Sequence, residues 1–151
     1  MYEQSAVGEE DGVMPFYYID EKARHEDGWR DYFDRIGSLS RPDLITNLGD
    51  RVAEMTPYIL ESNVNVLAIS TLLKKWKIDK VDALIVDAEG QDWKIVKQSI
   101  SIGVRPKVLM FEYSHLDEYT LEGAMTILSE VGYTILRTPR DLLCIFRNAG
   151  R

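Results

Sequence analysis

The sequence predicts an α/β layered domain built on a mostly parallel sheet. Two runs, Ala83–Val86 and Val108–Phe111, are apolar at consecutive rather than alternating positions. That pattern suits strands covered on both faces, as in a parallel sheet. Between them Trp93, Val96 and Ile100 fall on one side of a helix, which gives the strand–helix–strand order of such a sheet. Two further apolar runs, Tyr133–Arg137 and 142–146, flank Pro139-Arg140-Asp141 and read as a terminal antiparallel hairpin.

Each element has a local reason. Gly8 and Gly12 flank an acidic tip at residues 9–11, and residues 13–19 read as a strand after it. Trp29, Tyr32, Phe33 and Ile36 lie at i, i+3, i+4 and i+7, one apolar face of a short helix that Gly37 could end. Ser40 and Pro42 suit the start of another helix, whose apolar side is Leu44, Ile45 and Leu48. Residues 49–61 carry no readable pattern. Val64 and Val66 suggest a strand, and Ser70 then caps a helix bearing Leu72, Leu73 and Trp76. Strands are expected near 82–87 and 107–112, with a helix near 91–101 between them. A helix near 118–131 carries Leu121, Ala124, Met125 and Leu128 and ends by Gly132. The hairpin fills 133–147.

The 151 residues are enough for a single domain with a core, and 45% hydrophobic with 28% charged residues is ordinary for a folded chain. A net charge of −7 argues against nucleic acid as the main partner, because phosphate binding needs a basic surface. The densest basic run, Lys74-Lys75-Trp76-Lys77, reads as the solvated face of a short helix. No apolar run has the length of a membrane span and no signal-peptide pattern precedes the acidic N-terminus. The single cysteine, Cys144, excludes an internal disulfide and a multi-cysteine zinc site, and reads as a buried strand residue. A cytoplasmic setting is expected.

Function points to the strand ends. In open α/β sheets, ligands bind beyond the carboxyl ends of the strands. Asp87, Glu89 and Glu112 occupy that place. If strand geometry persists to Glu89, Asp87 and Glu89 face the same way, and Gly90 lets the backbone turn or approach a ligand closely. Such carboxylates can accept hydrogen bonds from hydroxyls, hold a cation or remove a proton. The blander reading is that one of them caps the 92–100 helix and the other is solvated. Glu112 is costly to bury unless it is paired. His115, three residues on, is a candidate substrate contact or base. No His-x-x-x-His spacing supports a metal site.

The same residues resemble a known family. Val81-Asp-Ala-Leu-Ile-Val-Asp-Ala-Glu-Gly-Gln-Asp92, a helix, then Pro106-Lys-Val-Leu-Met-Phe-Glu112 is similar to the second half of the FkbM-type S-adenosylmethionine-dependent methyltransferases. There a strand ends in Asp-x-Glu-Gly and the next strand ends in Glu. Residues 5–12 with Pro15-Phe16-Tyr17 resemble the family's segment after its third strand. Val64-Asn65-Val66 leading into Ser70-Thr71-Leu72-Leu73 resembles the stretch before the Asp-x-Glu-Gly strand.

The resemblance implies part of a class I methyltransferase sheet with helices on both faces and S-adenosyl-L-methionine as cofactor. The family's glycine-rich cofactor turn and the acidic end of its second strand have no counterpart in these residues. The chain therefore reads as a domain without its front third. Asp87, Glu89 and Glu112 become the catalytic candidates. Ser5, Ala6 and Val7 are the remaining adenine neighbours. Ser38, in Gly37-Ser38-Leu39-Ser40, joins His115 as a substrate-side candidate, although a helix stop followed by a helix cap explains that segment equally.

Three functions follow from this reading. The first is O-methylation of a small-molecule or glycan hydroxyl. The second is a non-catalytic, methyltransferase-like binding or dimerisation module, with a homodimer formed through an exposed sheet edge. The third, weaker, is a metal-dependent hydrolase using the three carboxylates.

Overall fold

A computed structural model describes residues 2–147. In chain order the elements are strands β1 (Ala6–Gly8), β2 (Gly12–Ile19) and β3 (Gly37–Ser38), helices α1 (Arg41–Asn47) and α2 (Val52–Met55), strand β4 (Ile59–Ala68) and helix α3 (Ile69–Lys75). Strand β5 (Ala83–Val86), helix α4 (Asp92–Ser101), strand β6 (Val108–Glu112), helix α5 (Glu118–Glu130) and strands β7 (Tyr133–Arg137) and β8 (Asp141–Phe146) complete it. The described residues divide into two compact units, one of residues 2–6 and 12–66, the other of 7–11 and 67–147.

In the first unit β2 lies antiparallel to β4, from Gly12 opposite Val66 to Ile19 opposite Ile59, and antiparallel to β3 at Tyr17 and Tyr18. Its core gathers Ile19, Ala23, Phe33, Ile36, Leu44, Leu48 and Met55. The expected 29–36 helix does not form. Phe33 N–H bonds to Arg30 C=O at 2.9 Å and Arg35 N–H to Tyr32 C=O at 3.0 Å, so the segment is a chain of tight turns. Burial of Phe33 and Ile36 satisfies the apolar spacing without a helix. Gly37 ends no helix but sits in β3, where a Cβ would collide with the Phe16 ring. Ser40 does cap α1, its hydroxyl accepting from Asp43 N–H.

The second unit holds the sheet β5-β6-β8-β7. As expected, β5 and β6 are parallel, from Ala83 opposite Val108 to Val86 opposite Phe111. The terminal hairpin also forms, and β8 pairs antiparallel with both β6 and β7. The fold is therefore α/β, but with two sheets that are mixed rather than mostly parallel. Parallel strands need a crossover connection whereas antiparallel strands need only a turn, and in this sheet the crossover is the one running through α4.

Helices are not on both faces of the second sheet. Val86, Leu109, Phe111, Leu142 and Cys144 share one core with Trp93, Val96 and Ile100 of α4 and Leu121, Ala124 and Leu128 of α5. Trp93 stacks on Phe111 with ring centroids 5.9 Å apart. The opposite face, read across the register, carries Ile85, Met110, Leu143 and Leu136 in one row. Ile85 is 66% exposed and Leu136 56%.

Ser70 does not cap α3, because the helix already begins at Ile69. The free N–H groups of that end are met from a distance. Asp11 accepts from Ala68 N–H at 2.8 Å and from the Thr71 hydroxyl at 2.7 Å, and Gln98 Oε1 accepts from Ile69 N–H at 2.7 Å. These bonds hold the Asp11 carboxyl below the usual carboxylate range. Lys74, Lys75 and Lys77 are exposed, as expected of a solvated face. Cys144 is buried, and burial pushes its thiol up to about 11. Among the described residues no helix is long and apolar enough to cross a membrane.

Candidate active site

Four of the predicted residues meet in the second unit, at the carboxyl end of the parallel pair. Strand β5 stops at Val86, and Asp87 follows it into solvent. Strand geometry does not persist to Glu89. That residue has φ of 46° and Gly90 φ of 97°, so the chain reverses sharply before α4. A non-glycine residue in the left-handed region costs on the order of 1 kcal/mol or more and persists only where its surroundings impose it.

Asp92 does much of the imposing. It is 2% exposed, and its carboxylate accepts from Ala88 N–H and Gly90 N–H, each at 3.2 Å. The first residue of α4 thus ties back the loop that carries Glu89. Neither Asp87 nor Glu89 caps the helix, whose N-cap is Gln91 without a side-chain cap bond.

Glu112 ends β6 only 7% exposed. Its Oε1 accepts from the Ser114 hydroxyl at 2.6 Å, from Arg140 Nε at 2.8 Å and from Arg140 Nη2. Arg140 arrives from the β7–β8 turn. Tyr113 clamps that turn: its N–H donates to Arg140 C=O at 2.9 Å, and its hydroxyl donates to Thr138 C=O at 2.7 Å. His115 Nε2 is buried and stands 3.6 Å from Glu112 Oε2 and 4.0 Å from Glu89 Oε2, beyond hydrogen-bond reach of both.

The environments push the carboxyls apart. Burial works against ionising Glu112, but the Ser114 hydroxyl, the Arg140 bonds and the Arg140 charge outweigh it and hold the carboxyl below its ordinary value. Glu89 is raised, first by burial and then by the charges of Asp87 and Glu112. Two carboxyls with pKa values displaced in opposite senses form a natural acid–base division. Glu112 is fixed as an anion, whereas Glu89 takes up a proton more readily. Among the described residues no three His, Cys, Asp or Glu side chains are arranged to hold a metal ion.

The pKa shifts carry a stability consequence. A raised carboxyl binds its proton more tightly in the folded state than in the unfolded one. The Glu89 charge therefore opposes folding increasingly as pH rises from about 4.5 through the folded value. Glu89→Gln is expected to melt above the parent at pH 7, with the gap closing as pH falls toward 4.5. Melting curves across that range check it, and a variant that melts lower at pH 7 would show that the Glu89 charge is compensated. Glu112 runs the other way: its contribution is complete above the unfolded value and is lost as pH falls through the lower, folded one.

The other predicted residues are distant from this group in sequence. Ser5 and Ala6 belong to the first unit. There, with Tyr2, Glu3, Gln4, Phe16 and Val64, they line a hollow of about 400 Å³. The Ser5 hydroxyl donates to Glu3 Oε1 at 2.9 Å. Val7 packs against the core of the second unit. Ser38, in the first unit, is 1% exposed, and its hydroxyl accepts from Ser40 N–H at 3.1 Å.

Asp92, Ser114 and Arg140 were not singled out from sequence. For Arg140 a signal existed in the hairpin: pairing residues 141–145 antiparallel with 108–112 places residue 140 beside Glu112.

The family model for the methyltransferase FkbM domain matches residues 4–135. The chain belongs to the FkbM methyltransferase domain family. The match spans both strand-end motifs, with residues 87, 89, 112 and 115, and stops within β7, so Arg140 lies outside the matched residues. No curated protein and no solved structure matches the chain.

Proposed function

We propose that this FkbM-family domain serves S-adenosyl-L-methionine-dependent O-methylation, with a small-molecule or glycan hydroxyl as acceptor. The observation that carries the proposal is the grouping of Asp87, Glu89, Glu112 and His115 at the carboxyl end of the parallel β5–β6 pair. Methylating a hydroxyl requires the acceptor oxygen to be aligned with the methyl group and its proton to be removed. Alignment alone can supply a large part of the acceleration. Asp87, exposed and beyond the end of β5, orients the acceptor and receives its proton. Glu89 and His115 line the floor beside it, and Glu112, anchored by Arg140, keeps the cleft anionic. An anionic cleft favours a cationic methyl donor.

The donor, when bound, supplies an electrophilic methyl group on a sulfonium. Ser5 and Ala6, the adenine candidates, line a largely apolar hollow within the first unit, with an aromatic wall at Phe16. At about 400 Å³ the hollow lies in the ordinary range for small-ligand sites. Val7 does not join them, since its side chain is committed to the second unit's core.

The second reading, which needs no glycine-rich turn, is a non-catalytic binding or dimerisation module. Calorimetric titration with S-adenosyl-L-methionine separates the two. Residues 1–151 alone are expected to bind it with a dissociation constant weaker than about 1 µM, roughly −8 kcal/mol. Tighter binding would show that another segment takes the turn's place. Transfer of labelled methyl to a panel of hydroxyl compounds tests the activity itself, and no transfer from a form that binds the cofactor would remove the enzymatic reading.

A further inference from the structure

We infer that the β7–β8 turn is a working part of the carboxylate site, with Tyr113 and Arg137 as positioning residues that hold Arg140 against Glu112. Arg137, Thr138, Pro139 and Arg140 all lie beyond the residues that the family model matches. The turn nonetheless reaches the site, because β8 runs antiparallel to β6 and sets Asp141 opposite Glu112.

Register alone does not fix an arginine. The Arg140 side chain is 73% exposed, and holding so long a side chain in one rotamer costs up to about 2 kcal/mol of conformational entropy. For Nε and Nη2 to meet the same Glu112 oxygen, the backbone behind them must be closely placed. Tyr113 places it. Neighbouring strand residues point to opposite faces, so Tyr113, part of the core, grips the turn from the packed side while Glu112 leaves the strand on the other. A tyrosine hydroxyl can both donate and accept, and here it does both. It donates to Thr138 C=O at 2.7 Å, with Pro139 C=O at 3.3 Å, and accepts from Arg137 Nε at 2.8 Å. The Arg137 guanidinium also lies 4.8 Å from the ring centre, a cation–π contact. Arg137 thus steadies Tyr113, Tyr113 holds the turn, and the turn presents Arg140.

The surroundings of Glu112 make that delivery decide the charge of the site. Arg140 and Asp141 face it from the hairpin, His115 from the loop after β6, and Glu89, with Asp87 beside it, from the loop after β5. Burial opposes the Glu112 charge, and Arg140 and Ser114 are what overcome it. A displaced Arg140 lets Glu112 take up a proton, which also removes one of the charges that raise Glu89.

NMR titration of the Glu112 carboxyl in the 151-residue chain tests the inference with neither cofactor nor acceptor present. Arg140→Gln is expected to raise the midpoint by about one pH unit or more, the usual weight of a close opposite charge. Tyr113→Phe keeps the ring and the main-chain bond to Arg140, and should raise the midpoint by a smaller step. Arg137→Gln should raise it less again. Arg137 is exposed, so its variant keeps the fold and carries the test even where Tyr113→Phe unfolds. Added to Arg140→Gln, Tyr113→Phe should have no further effect on the midpoint, because it acts through Arg140. A folded Tyr113→Phe or Arg137→Gln chain that titrates like the parent would overturn the inference. So would a Tyr113→Phe effect that persists in full beside Arg140→Gln. The bearing on catalysis rests on the methyl-transfer reading: in a turnover-competent form, the acid limb of the pH profile should move with the Glu112 midpoint. Midpoints that move as expected without any methyl transfer would uphold the positioning roles and remove only that reading.

Discussion

Replacing Asp87 by Asn is expected to lower methyl transfer about 10²- to 10⁴-fold, the usual weight of a general base, with the melting temperature unchanged. The reason is placement. Asp87 follows the last residue of β5, is exposed, and belongs to no part of the core. Asn keeps the shape and one acceptor oxygen but removes the charge, so a role in taking up a proton or stabilising charge is lost selectively. The comparison uses a turnover-competent form of the domain, with the acceptor found by the hydroxyl panel. Cofactor affinity should change much less than turnover. A variant that melts like the parent and methylates at the parental rate would show that Asp87 is not part of the machinery.

Asp92→Ala is expected to cost about 3 kcal/mol of folding stability. Two backbone N–H groups, of Ala88 and Gly90, lose their acceptor, and a buried donor left unpaired costs about 1–3 kcal/mol. Part of that is returned because the buried carboxylate is itself unfavourable. Burial raises its pKa, and the Ala88 and Gly90 bonds only partly offset this. Asp92→Asn keeps one acceptor and should cost less than Ala. Denaturant unfolding of both variants measures the difference. The loop they release carries Glu89 in its left-handed conformation, so the Ala variant should also lose the stabilising response to Glu89→Gln at pH 7. A loss of stability below about 0.5 kcal/mol, the range of ordinary surface changes, would mean that the loop is held by other contacts.

The elements legible in sequence are those whose pattern is local. β5, α4, β6, α5 and the hairpin stand within a residue or two of their expected limits. Consecutive apolar runs, helical spacing and turn residues act over a few neighbours. The 29–36 segment shows where local pattern misleads. Its aromatic spacing is helical, but the residues bury through tight turns whose bonds run i to i+3. Ser70 shows the same for capping, since the N–H groups it was expected to satisfy are met by Asp11 and Gln98, far away in sequence.

By itself the sequence determined which residues stand at the strand ends, because a carboxylate following an apolar run marks where burial stops. It therefore placed Asp87, Glu89 and Glu112 together with His115, and it carried the family motifs. Tertiary structure alone decided what each carboxylate is. Glu112 is an anchored anion because Arg140 arrives from a hairpin 28 residues away. Glu89 is raised because a reversed backbone, tied by Asp92, buries it and brings it beside two other carboxylates. Register likewise decided that one face of the sheet is packed and the other open, since only pairing between strands sets which alternate side chains share a side. Charge state and burial depend on atoms brought close by folding, which spacing along the chain does not encode.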